Sequence, residues 1–172
     1  TNLGTVRPDV DVVWDLAAHD LSMLLYLFGP VEVVAAAGSD PLGLGRPCVA
    51  QLVCRLAGGA LATVEVSWLS PVKVRRFLVC GSAASALWDD VDATEPLRVY
   101  DRGIDLDPEQ ARVSYRLGDM IAPRLEPTEA LAVECAHFAA CVRGDAEPLT
   151  GSVEAVEVVR LLETASRALV AR

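Results

Sequence analysis

WDLAAHDLSMLLYLFG, residues 14–29, has side chains spaced as on an amphipathic helix. Leu16, Met23, Leu24, Leu27 and Phe28 recur at helical intervals and are predicted to bury its body, and Gly29-Pro30 supplies a C-terminal stop. Asp15 and His19 stand at i and i+4, on one face about one turn apart, close enough to share a proton or a substrate hydroxyl. An imidazole beside a carboxylate is suited to moving a proton off a hydroxyl, the carboxylate fixing the ring. The same spacing also admits a structural reading, in which Asp15 complements the positive end of the helix dipole and His19 is a hydrogen-bonded boundary residue. Asp15, His19 and Asp20 lack further ligands for a metal, since the other histidine, His137, falls inside a later helix and reads as structural. No metal is expected.

Upstream, residues 1–13 are irregular and carry Asn2, Arg7, Asp9 and Asp11 to the mouth of the helix, a good place for ligand contacts. Downstream, residues 31–38 read as a strand and 39–47 as a loop. A hairpin is predicted to pair 48–56 with 60–69 across Gly58-Gly59. In its second strand Ala62, Val64, Val66 and Trp68 face one side, and Thr63, Glu65 and Ser67 the other. A second hairpin pairs 73–80 with 85–89, and 97–100 adds a short strand. Residues 101–126 are polar and predict a long excursion holding one short strand at 112–117, before helices over 127–143 and 152–171. In the last helix Val153, Val156, Val159, Leu162, Ala165 and Leu169 recur at helical intervals. The fold class is α+β: a predominantly antiparallel open sheet with helices packed on one face and the other face available for oligomerisation, in one domain spanning 1–172.

Composition narrows the function. A net charge of -9 and an isoelectric point near 4.6 argue against a nucleic-acid partner, which needs a basic stripe. Mean hydropathy is +0.35, yet no apolar run approaches the roughly 20 residues of a membrane helix. Five cysteines without a CxxC pair suit reduced core thiols in a cytoplasmic protein. The first residues, TNLGTVRPDV, resemble no secretion signal, and opening on Thr1 predicts a piece of a longer protein. Lys73, Arg75 and Arg76 form the one basic cluster. Lys73 and Arg75 on one face of a strand could meet phosphates or acidic groups, or could simply guard a sheet edge. Gly43-Leu44-Gly45 lacks the third glycine and following helix of a dinucleotide fingerprint.

With WDLAAHD in view, together with NLGTVR, HDLSMLLYLFG, SWLSPVKVRR, LVCGSAASALWDD, LRVYDRGI and EALAVECAHFAACVRG, the chain resembles the C-terminal domain of the glucose-fructose oxidoreductase, inositol dehydrogenase and MocA (Gfo/Idh/MocA) group of nicotinamide-dependent oxidoreductases. SWLSPVKVRR, WDDV and VYDRG are most similar to the subgroup acting on nucleotide-activated sugars. The resemblance implies a two-domain enzyme. An N-terminal Rossmann domain, absent here, would bind NAD or NADP and supply a lysine, and this domain would bind a sugar or nucleotide-sugar and assemble a homodimer or homotetramer through its sheet. It implies that His19 assists proton transfer at the sugar hydroxyl, that Asp15 orients His19 or holds a neighbouring hydroxyl, and that Asn2 and Arg7 contact substrate.

Two departures stand out. The dinucleotide-binding glycines and the lysine motif are missing, and Ala18 stands where the family often has proline, a change that leaves the Asp/His spacing intact. Alone, the chain should not transfer hydride, because the carrier has no binding site in it. Two other readings stay open: an NAD-dependent glycosidase of the same family, and a non-catalytic dimerisation or ligand-binding module using the face of Thr63, Glu65 and Ser67.

Overall fold

The computed structural model describes residues 1, 6–107, 112–126 and 128–170. The first helix, α1 (Val12–Phe28), starts two residues earlier than predicted because Asp11 caps it. The Asp11 carboxylate accepts the Val13 N–H at 2.9 Å and the Trp14 N–H at 3.1 Å, satisfying two donors that the first turn leaves without partners. Gly29, at φ 74°, ends the helix and donates its N–H to the Leu25 carbonyl at 2.9 Å.

That early start changes which stripe is buried. Val13, Ala17, Leu21 and Leu24, stepping by four, four and three, pack inward with Val12. Of the predicted set only Leu24 is fully buried; Leu16 and Phe28 are half-buried, and Met23 and Leu27 are exposed. Two valines that the sequence reading left in the preceding loop supply the start of the stripe and turn the helix about its axis.

The chain forms two compact units, Thr1–Val72 with Ala130–Arg172, and Lys73–Glu129. In the first, β1 (Val31–Ser39), β2 (Val49–Leu56) and β3 (Leu61–Ser67) make an antiparallel sheet in that order. The turn at Ala57–Gly59 uses positive φ at Gly58 (82°) and Gly59 (87°), as the hairpin reading requires. Ala50, Leu52, Cys54 and Leu56 of β2, with Val64, Val66 and Trp68, point into the core. The third helix, α3 (Ser152–Val170), closes that core with Leu161, Leu162 and Ala165. The earlier part of its predicted stripe, Val153, Val156 and Val159, is exposed, and Ala171 lies outside the described residues. On the outer face of the sheet Thr63 and Glu65 are exposed, but Ser67 is buried and its hydroxyl accepts the Leu69 N–H at 3.0 Å. The second helix, α2 (Ala130–Arg143), begins three residues later than predicted and buries none of its residues; Pro127 lies outside the described residues. His137 Nε2 accepts the Leu149 N–H at 3.2 Å, holding the turn after α2 as the structural reading of this histidine expects.

The second unit departs most from expectation. Instead of strands added to one sheet and then an irregular excursion, β4 (Arg76–Cys80), β5 (Ser85–Asp89), β6 (Leu97–Asp107) and β7 (Arg112–Ile121) form a separate four-stranded antiparallel sheet. The polarity that reads as loop is cross-strand pairing: Arg116 on β7 donates to Asp101 at 2.9 Å and Asp105 at 3.0 Å on β6, and reaches the Ala83 carbonyl in the β4–β5 turn. At a bulge beside Asp101 the backbones crowd so closely that a Cβ on Gly118 would stand 2.5 Å from the Asp101 carbonyl oxygen. Val113, Tyr115 and Leu117 alternate along β7, and Ile104 faces Tyr115 across the ladder. Their exposures, 52%, 74%, 82% and 56%, leave an open apolar face.

All five cysteines are free thiols, but only Cys48 and Cys54 are core residues; Cys141 is half-buried, and Cys80 and Cys135 are exposed. Among the described residues no helix is long and apolar enough to cross a membrane.

Asp11 also accepts the Ser166 hydroxyl of α3 at 2.8 Å, so its carboxylate starts one helix and anchors another. Asp11→Ala is expected to cost about 2 kcal/mol in urea unfolding. Gly118→Ala, which forces the bulge apart, is expected to cost roughly 1–3 kcal/mol.

Candidate functional site

The early start of α1 places Asp15 in its first turn. At 100° per residue Asp15 and His19 are about 40° apart around the axis, and His19 points roughly 150° from the buried stripe. His19 is therefore exposed, and it has no hydrogen-bonding partner among the described residues. Asp15 is half-buried and is held from the core side: the indole Nε1–H of Trp68, a residue only 2% exposed, donates to Asp15 Oδ2 at 2.8 Å. No hydrogen bond joins Asp15 to His19. Trp68 in turn extends β3 by one backbone bond, its N–H donating to the Cys48 carbonyl at 3.0 Å.

Arg7 completes this cluster. Its guanidinium pairs with Asp9 at 2.8 Å, and its pKa is raised first by that hydrogen bond, with a smaller contribution from the charge of Asp15. Asn2, the other predicted contact in the leading loop, lies outside the described residues. The structure places Arg7, Asp15 and His19 in the first unit, with Asp15 and His19 one turn apart on α1. Lys73 and Arg75 belong to the second unit, and neither is in a strand as predicted, because β4 begins only at Arg76. Arg75 pairs with Asp90 at 3.0 Å, and Lys73 has no partner among the described residues. A shallow open groove of about 520 Å³ is lined by Asp9, Val10, Asp11, Trp14, Gly45 and Arg46, with neither Asp15 nor His19 in its wall. The sequence reading missed Trp68, Trp14 and Arg46. Trp68 was legible as an inward residue of its strand, but the position its indole reaches is 53 residues away.

The loop holding Gly43 and Gly45 shows whether a dinucleotide's phosphates could sit here. Both glycines have positive φ, but the amide N–H groups of Leu44 and Gly45 already donate to Asp40, at 3.0 and 2.7 Å. A loop whose amides hold its own carboxylate is not an anion cradle, and a strand rather than a helix follows it. The residues of this loop do not fit the group. Cys48 also donates to Asp40, at 3.2 Å, and burial pushes its thiol pKa up. Among the described residues no cluster of three or more His, Cys, Asp or Glu side chains is arranged to hold a metal.

Residues 7–87 match the GFO/IDH/MocA C-terminal domain. Among solved structures, the fold is similar to UDP-N-acetylglucosamine 3-dehydrogenase GnnA from Acidithiobacillus ferrooxidans, with a TM-score of 0.72 and 22% identity over 94% of this chain and 48% of that one. It is also similar to the WlbA dehydrogenase from Bordetella pertussis in complex with NADH and UDP-GlcNAcA (0.63, 19%, 93% and 43%). Levoglucosan dehydrogenase in complex with NADH is a third (0.65, 18%, 90% and 46%). At these identities the likeness is one of fold, and the chain spans about half the length of the structures it matches. Among curated proteins none matches.

The Asp40 loop generates a pH dependence. Its carboxyl is held below the ordinary 3.8, chiefly by the Leu44 N–H. A lowered folded-state pKa contributes stability that is present above the unfolded value and lost as pH falls through the folded one. Asp40→Asn is expected to be less stable than wild type at neutral pH, with the gap closing below about pH 4, as read from urea midpoints across pH.

Proposed function

We propose that the chain, whose residues 7–87 match the GFO/IDH/MocA C-terminal domain, is a member of that family and the substrate-side half of an NAD(P)-dependent oxidoreductase acting on a hydroxyl of a sugar or nucleotide-sugar. One observation carries this reading: His19 stands open to solvent on α1, one turn from an Asp15 whose carboxylate is fixed from behind by Trp68. A structural histidine would be hydrogen-bonded into its surroundings, as His137 is.

The nicotinamide, held by a preceding Rossmann domain, would supply the hydride acceptor. This chain's residues handle the proton and the orientation. As the carbinol C–H leaves as hydride to the nicotinamide, His19 would take the O–H proton, and the carbon becomes a carbonyl. Asp15 Oδ1, which accepts no bond from the described residues, is available to a neighbouring hydroxyl or to the protonated imidazole. Arg7 and Asn2 are proposed substrate contacts, as are Lys73 and Arg75 for the phosphates of a nucleotide-sugar; Arg75 would first have to leave Asp90. A nucleotide-sugar is favoured by the substrate for which GnnA is named and the UDP-GlcNAcA bound to WlbA, and an NAD-type cofactor by the NADH in two of the neighbours. A cytoplasmic location belongs to the same reading. So does a homodimer or homotetramer through the sheet, with the face of Ile104, Val113, Tyr115 and Leu117 as the supporting surface.

In the intact polypeptide, with UDP-N-acetylglucosamine and NAD or NADP, His19→Ala is expected to lower kcat by about 10²–10⁴-fold. Unchanged turnover would leave only an assembly module. A stable keto-sugar with reduced cofactor supports the dehydrogenase, whereas net hydrolysis would mean a glycosidase. Leu117→Asp is expected to shift sedimentation toward a smaller species, and an unaltered profile would place the contact elsewhere.

A further inference from the structure

We propose that Trp68 is a positioning residue for this site, acting through Asp15; the inference rests on the functional reading above. Trp68 is 2% exposed, and the one hydrogen bond of its indole goes to the half-buried carboxylate on α1. An indole N–H donates only, so the oxygen it holds must act as an acceptor, and the carboxylate plane is set by a neutral group that brings no countercharge. Asp15 is in no ion pair among the described residues, unlike Asp9, Asp89 and Asp90, each paired with an arginine. With Oδ2 tied to Trp68, Oδ1 is left as the oxygen available to a ligand. The brace is rigid at its other end too, because Trp68 is bonded through its own N–H to the Cys48 carbonyl. Such support behind a reactive carboxylate limits the orientations it samples.

Merely packing the core would make Trp68 a stability residue, whereas holding Asp15 makes its loss felt in turnover. In the intact polypeptide with UDP-N-acetylglucosamine and NAD, Trp68→Phe is expected to lower kcat about tenfold while KM moves less than about twofold. In an Asp15→Asn background the same change is expected to cost under about twofold in kcat, since the bond's partner is already altered. Replacing Trp68 with benzothienylalanine exchanges N–H for sulfur at nearly constant shape. It is expected to reproduce the kcat loss with an unfolding midpoint close to wild type, which separates the bond from the packing. A full Trp68→Phe effect persisting beside Asp15→Asn, or wild-type kcat with benzothienylalanine, overturns the brace. Wild-type turnover in both His19→Ala and Asp15→Asn would instead defeat the underlying functional reading, so the two failures are distinguishable.

Discussion

The phase of one helix governs this structure, and Asp11 sets that phase. Its carboxylate closes the first turn of α1 onto the Val13 and Trp14 amides and binds Ser166 of α3. With the start fixed, Val13, Ala17, Leu21 and Leu24 must face the sheet. Geometry then turns both Asp15 and His19 away from that stripe, and Asp15 alone is half-buried, with the Trp68 indole bonded to it.

Much of the first unit was legible because its signals are local. The Gly58-Gly59 turn, the alternation along β3 and the Gly29-Pro30 stop depend on neighbours in sequence, and each falls where the pattern places it. The rotation of α1 was not legible in the same way. Met23, Leu27 and the buried stripe are similarly apolar, and only the cap at Asp11, which precedes the quoted helix, chooses between the faces. The spacing of Asp15 and His19 was readable, whereas the indole that fixes Asp15 arrives from a strand far along the chain.

The second unit was misread for a different physical reason. Charged residues at alternating positions of β6 and β7 look like a solvated loop when each strand is viewed alone. Laid side by side, Asp101 and Asp105 flank Arg116, and the polarity becomes lateral pairing. Sequence reading assigns charge to solvent by default, and here the neighbouring strand is the solvent. The opposite surface carries Ile104, Tyr115 and Leu117, so this sheet is polar where it binds itself and apolar where it faces outward.

The hairpin between β2 and β3 also has a bearing on α1 that its place in the chain would not suggest. Strand side chains alternate with a period of two, so lengthening the Ala57–Gly59 turn enough to slip the pairing by one residue would swing Trp68 to the outer surface. The carboxylate on α1 would then lose its backstop with no change to any residue around it. Turn length in this hairpin is in that sense a control on how the Asp15 carboxylate is held, and insertions there are constrained by that bond as well as by folding.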